Sequence, residues 1–107
     1  MQIPEIIENL VSAQNSQDSI SYAGCFSETA VVIDEGKTYT GQTAIRNWIA
    51  EASEKYNVVM KPVSFQQGEP VSVLKAEISG NFQGSPVILS YKLAIENERI
   101  SSLEITL

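Results

Sequence analysis

The sequence of 107 residues has no histidine and a single cysteine, Cys25. Without histidine, the chain cannot build a Ser-His-Asp or Cys-His catalytic site, or a histidine-ligated zinc or iron centre. With one cysteine, it can form neither an internal disulfide nor a multi-cysteine metal site. Acid–base chemistry therefore has to use Asp, Glu, Tyr, Lys or Cys25, and we expect neither a metal nor an organic cofactor.

Positive charge is also scarce, since the formal net charge is −6 and the seven basic residues are scattered along the chain. Phosphate binding requires clustered Lys and Arg, so we expect no nucleic-acid partner. The same reasoning disfavours an anionic membrane surface. The chain has no apolar run long enough to cross a bilayer and no secretory signal pattern at its N-terminus, which predicts a cytoplasmic protein.

Composition fits one globular domain over residues 1–107, with 43% apolar and 19% charged residues. Helical spacing of apolar residues predicts three helices. The first contains the stripe from Ile3 to Val11. Asp18 can cap a second, shorter helix, which carries Ile20, Ala23 and Phe26. The third begins at Thr40 or Gly41, and its apolar stripe comprises Ala44, Ile45, Trp48, Ile49 and Ala52.

Strand-like patterns occupy the remainder. Ala30–Ile33 is predicted as a strand, followed by a turn and a short return strand. Four long strands follow the third helix, and Pro62 places the first of them at an edge or a bulge. They are predicted at Val58–Gln67, Val71–Phe82, Val87–Glu96 and after Asn97-Glu98. We expect an α+β fold, in which three N-terminal helices pack on a strongly curved, mainly antiparallel sheet to form a cone with an apolar interior.

Asp34 is the residue most suited to chemistry, because it ends an apolar strand at the lip of this interior. An apolar pocket would raise the pKa of its carboxyl group and make it a general base. Alternatively, Asp34 opens a turn and bonds backbone N–H groups near Gly36, which would lower its pKa.

Four aromatic residues have two interpretations each. Tyr91 alternates with Leu89 and Leu93 on one strand face, so its ring is expected to be buried. Its hydroxyl could bind a ligand oxygen, or it could bond a backbone carbonyl or water inside the core. Three further rings could wall a pocket or belong to the plain core: Trp48, Phe26 and Phe65.

Three segments give the chain a recognisable pattern: Phe26–Asp34, Tyr39–Trp48 and Gly80–Val87. In these it resembles the SnoaL-like and ketosteroid isomerase-like branch of the nuclear transport factor 2-like superfamily. The resemblance implies the cone-shaped fold. It matches Asp34 to the proton-transfer aspartate of the isomerases, Leu10 to a tyrosine that donates to the oxyanion, and Tyr91 to a region near a second donor.

The resemblance implies an apolar pocket for a small hydrophobic ligand, walled by Leu10, Phe26, Trp48 and Phe65. It also implies a cofactor-free isomerase or cyclase in which Asp34 is the general base. The alternative is a non-catalytic ligand-binding or dimeric interaction module, which Leu10 favours because it cannot donate a hydrogen bond. Relatives commonly pair their sheets, so a homodimer is expected.

Overall fold

The computed structural model describes residues 2–107, which form three helices and six strands. The helices are α1 (Glu5–Asn15), α2 (Ser19–Gly24) and α3 (Gln42–Tyr56). The strands are β1 (Phe26–Asp34), β2 (Lys37–Thr40), β3 (Val59–Gln66), β4 (Ser72–Ser79), β5 (Val87–Glu96) and β6 (Arg99–Thr106). Within this described range, no helix has the length and apolar character needed to cross a membrane.

All six strands belong to one sheet with the order β2-β1-β6-β5-β4-β3. Every neighbouring pair is antiparallel except β1 and β6, which run parallel. Two tight hairpins, at Glu35-Gly36 and Asn97-Glu98, have positive φ at both central residues. This is the turn geometry that matches the twist of the flanking strands. The predicted α+β class and mainly antiparallel sheet are confirmed.

Helix α3 follows the β1–β2 hairpin, in agreement with its predicted start at Thr40 or Gly41, so only α1 and α2 lie N-terminal to the sheet. One predicted element needs correction. Phe26 does not belong to the second helix but begins β1, where it pairs with Ile100. Helix α2 ends at Gly24, and the carbonyl of Cys25 already accepts a bond of 2.9 Å from the Ile100 amide. Long-range pairing therefore overrides the local helical spacing that had included Phe26.

Several boundaries follow the sequence closely. β5 has the predicted bounds, and β3 is an edge strand with a bulge between Pro62 and Ser64. β4 stops at Ser79, three residues earlier than predicted. A tertiary contact lies directly after this end: a Cβ atom at Gly80 would lie 2.5 Å from the Tyr56 carbonyl oxygen, which also accepts from the Asn81 amide. This contact ties the end of α3 to the β4–β5 connection.

The core lies between one face of the sheet and the helices. Val32, Leu103 and Leu93 are register neighbours on three adjacent strands, and all are buried. Ile7 and Leu10 of α1 belong to the same core. The Asn15 side chain fixes the end of α1, since it both accepts from and donates to the Met60 backbone, at 2.7 and 2.9 Å.

Two isoleucines provide a matched test of this core. Ile7 is fully buried, whereas Ile20 of α2 is 72% exposed. We expect Ile7→Ala to lower the free energy of unfolding by about 2–5 kcal/mol, because it removes packed methyl groups and leaves a cavity. Ile20→Ala should change it by less than about 0.5 kcal/mol. Chemical denaturation measures both, and similar losses at the two sites would contradict the packing described.

Candidate functional site

A cavity of about 920 Å³ lies between the sheet and α3. Strands β1, β5 and β6 contribute Asp34, Tyr91 and Ile105 to its wall, α3 contributes Trp48, and α2 contributes Tyr22. The volume is at the upper end of the range common for small-molecule sites, about 300–1,000 Å³.

Asp34 reaches this cavity because of strand alternation. Ala30 and Val32 of β1 are fully buried, and Asp34 is two residues further along the strand, on the same face. The Glu35-Gly36 turn reverses the chain directly afterwards, so the carboxyl group stays at the end of the strand, half-buried. A strand shifted by one residue would turn this carboxyl group to the opposite face.

Asp34 and Tyr91 lie in one row across the inner face of the sheet. Ile105 of β6 pairs with Asp34 in the parallel ladder and with Tyr91 in the antiparallel ladder. Two strand spacings separate the Asp34 and Tyr91 backbones by about 10 Å. All three residues line the cavity, so a small ligand lying over Ile105 would have a carboxyl group on one side and a phenol on the other.

Three aromatic rings, on α2, α3 and β2, contact one another in the cavity wall. Tyr22 meets Trp48 edge-on, with ring centroids 6.1 Å apart. Tyr39 of β2 stacks on Trp48 at 5.4 Å. All three rings line the cavity, and such contacts add about 0.5–1.5 kcal/mol to the burial of the rings.

Burial is the main reason that the pKa of Asp34 is raised above its ordinary value. The nearby Glu35 carboxylate raises this pKa further, and the Trp48 side chain, acting as a hydrogen-bond donor, lowers it by less. The direction is the one expected for a carboxyl group in a pocket, and it differs from the lowering that a turn aspartate would show. The catalytic role of Asp34 stays a prediction.

The two buried tyrosines respond to the same carboxyl group. Burial raises the pKa of Tyr91 well above its ordinary value, and the charge of Asp34 adds to the effect. Burial likewise raises the pKa of Tyr22, with smaller contributions from Tyr91, Cys25 and Asp34. Both phenols therefore keep their protons at neutral pH and can act as hydrogen-bond donors.

The other residues predicted for the site are placed differently. Trp48 lines the cavity, but Leu10 and Phe26 are fully buried in the core and are not among its lining residues. Phe65 on β3 lies beyond Leu74, which separates it from Tyr91, and it too is absent from the wall. Cys25 is buried, and burial raises the pKa of its thiol.

Tyr22 is one of several cavity residues that were not predicted from the sequence. Its helix has six residues, and the apolar residues assigned to that helix from the sequence were Ile20, Ala23 and Phe26. The sequence feature that bears on the position of Tyr22 is the helix cap. The Asp18 carboxylate accepts a hydrogen bond from the Ser21 amide at 3.1 Å, which fixes the first turn of the short helix. Among residues 2–107, no group of three or more Cys, Asp or Glu side chains is placed to hold a metal ion.

The sequence matches no protein-family model and no curated protein. Several solved structures resemble it over nearly its whole length. A candidate polyketide cyclase from Sinorhizobium meliloti is 33% identical, with 97% of this chain and 95% of that chain covered and a TM-score of 0.92. A protein from Catenulispora acidiphila with a ketosteroid isomerase-like fold, solved in complex with trimethylamine, is 20% identical, with 99% and 87% covered and a TM-score of 0.88. A nuclear transport factor 2-like protein of unknown function from Cytophaga hutchinsonii is 16% identical, with 99% and 91% covered and a TM-score of 0.80.

The pKa values of the two aspartates of the chain should be shifted in opposite directions from the ordinary value. Asp18 is exposed, and hydrogen bonds from the Ser21 hydroxyl and amide lower its pKa, whereas burial raises that of Asp34. Carbon-13 NMR of the carboxyl groups measures both in one sample. Trp48→Phe should raise the pKa of Asp34 further, because it removes the N–H donor, and should leave that of Asp18 unchanged.

Asp34 and Asp18 should also make the free energy of unfolding depend on pH, because the pKa of each differs between the folded and unfolded protein. The stability that Asp34 contributes is fully present below its unfolded pKa and is lost as the pH rises through its folded pKa. The contribution of Asp18 is present above its unfolded pKa and is lost as the pH falls through its folded pKa. A carboxyl group of Asp34 that titrates at or below the ordinary value for aspartate would contradict the half-buried position described.

Proposed function

Because this chain belongs to the nuclear transport factor 2-like superfamily, and one fold hosts many functions, we propose a function from its cavity rather than from its fold. The protein binds a small, largely hydrophobic carbonyl compound and acts on it as a cofactor-free isomerase or aldol-type cyclase. The observation that carries the proposal is the row Asp34–Ile105–Tyr91 on the cavity wall.

The proposed reaction starts with proton transfer to Asp34. Its carboxylate removes a proton from the carbon next to the ligand carbonyl, and the C–H electron pair forms a carbon–carbon double bond. The carbonyl π electrons move to oxygen, and the Tyr91 hydroxyl donates a hydrogen bond to the resulting oxyanion. Asp34 is then neutral, which suits a half-buried carboxyl group whose pKa is raised.

Two outcomes can follow from this enolate. In an isomerase, Asp34 returns its proton to a different carbon, and the double bond is moved. In a cyclase, the enolate carbon attacks a second carbonyl of the same molecule, and Asp34 gives its proton to the new alkoxide. Both need a base, a donor and an apolar enclosure that keeps water away from the enolate.

Substitution of Asp34 tests the proposal directly. With a β,γ-unsaturated ketone as substrate, we expect Asp34→Asn to lower the rate by about 10²–10⁴-fold, the usual contribution of a general base. Glu35→Gln is the matched control, since Glu35 is the adjacent carboxylate, is exposed, and also borders the cavity. It should change the rate by only a few-fold. Absorbance of the conjugated product follows the reaction, and a wild type no faster than Asp34→Asn would refute the isomerase.

The alternative function is a non-catalytic binding module. The observation that favours it is the fully buried Leu10, which brings no donor to the cavity. In that case the same ketone would bind without being converted, and Asp34→Asn would leave the affinity nearly unchanged.

We also propose that two copies associate through the outer face of the sheet. Ile88 on β5 is 46% exposed on this face, which also carries the Lys92–Glu104 pair of adjacent strands. A homodimer is expected in sedimentation velocity at micromolar concentration, and Ile88→Arg should shift it towards the monomer. Ile20→Arg, on α2, is the control and should have no effect. A wild type that sediments as a monomer would contradict the proposal.

A further inference from the structure

We infer that Gln14 of α1 recognises a second polar group of the ligand, at the end of the cavity opposite Asp34 and Tyr91. The inference rests on the proposed function and narrows its substrate class to ketones that carry a hydroxyl group at their far end. Gln14 accepts a hydrogen bond from that hydroxyl group, and so determines specificity without taking part in the proton transfer.

Gln14 occupies a position where helical spacing favours an apolar residue. Ile7 and Leu10 of the same helix are fully buried, and Gln14 follows them by seven and four residues, on the same helix face. Its side chain is only 5% exposed. A buried amide lowers stability unless its polar atoms have partners, so packing alone does not account for a glutamine at this position.

The Gln14 amide has one partner within the protein. Its Nε2 atom donates to the hydroxyl group of Ser53 on α3 at 3.5 Å, which is long for a hydrogen bond. No residue from 2 to 107 donates to its Oε1 atom, although every enclosed polar side-chain atom in this range has a partner. The Oε1 atom is therefore not enclosed. Because Gln14 belongs to the cavity wall, this oxygen faces the ligand space.

Contacts of α1 place Gln14 at one end of the cavity. Asn15, the next residue, bonds the backbone of Met60 at 2.7 and 2.9 Å. Met60 pairs with Ile78, which in turn pairs with Val87, and the last two line the cavity. Gln14 therefore lies at the end of the cavity that this second row of strand residues forms.

The proposed reactive groups lie at the other end. Val87 precedes Tyr91 by four residues on β5, so the two rows are about 13 Å apart along the strand. Both residues line the same cavity, which therefore has room for a ligand with two polar ends and an apolar frame between them. The ketone end reaches Asp34 and Tyr91. The other end reaches the Gln14 oxygen, which only accepts hydrogen bonds, so the matching neutral group is a hydroxyl.

Two ketones of the same shape test the inference. 4-Acetyl-4′-hydroxymethylbiphenyl and 4-acetyl-4′-ethylbiphenyl share an enolisable acetyl group at one end and differ only in OH against CH₃ at the other. Gln14→Met keeps the length of the side chain and removes the amide. We expect it to shift the ratio of the two dissociation constants by about tenfold in favour of the ethyl compound, because a buried hydroxyl group is left unpaired. Quenching of the fluorescence of Trp48, which lines the cavity, measures both constants.

Gln83→Met is the matched control. Gln83 also borders the cavity, but it is exposed on the β4–β5 connection. The same substitution there should leave the ratio within about twofold of the wild-type value. If Gln14→Met leaves the ratio unchanged, or if Gln83→Met shifts it equally, the inference is overturned.

Nuclear Overhauser effects in the wild-type complex cover the case in which Gln14→Met does not fold. The hydroxymethyl protons should contact the Gln14 side chain and Val87, and the acetyl methyl group should contact Ile105. A ligand bound in the reverse direction would overturn the inference, while the proposed function would still stand on its own test, Asp34→Asn. If neither ketone binds, the inference and the proposed function fail together.

Discussion

The parallel pairing of β1 with β6 is the constraint on which the rest of the site depends. It places the last residue of β1 beside Ile105, and the antiparallel partner of Ile105 is Tyr91. Because side chains alternate along strands, the buried Ala30 and Val32 also bring Asp34 to the inner face. One register therefore sets both the separation and the common direction of the carboxyl and phenol groups.

The same arrangement explains why the carboxyl group is unusual. A half-buried carboxylate among aromatic rings is disfavoured, which raises its pKa, and the adjacent Glu35 adds to the effect. The opposing influence of Trp48 is weaker. The interior disfavours the ionised carboxyl group and keeps both tyrosines neutral. Such an environment suits the proposed transfer of a proton from a ligand carbon to Asp34 and back.

Much of the fold could be predicted from the spacing of apolar residues and the position of proline. The alternation of β5 gave its bounds, Pro62 marked an edge strand with a bulge, and the apolar stripe of α3 is the face that packs inward. Short helices were predicted less accurately. In α2, local spacing favoured Ile20 and Phe26, but Ile20 is exposed and Phe26 starts a strand. Six residues carry too little periodicity to outweigh pairing with a strand some 75 positions later.

The sequence by itself determined the chemical inventory and the end of β1: no histidine, one cysteine, and an aspartate closing an apolar strand. Only the tertiary structure decided which side chains share the cavity with that aspartate. Three apolar residues that were predicted for the cavity wall pack elsewhere: Leu10, Phe26 and Phe65. Tyr22 belongs to the cavity wall, although its helix is distant in sequence from β5. The physical reason is that strand and helix periods fix the direction of a side chain, whereas its neighbours depend on which elements pack together.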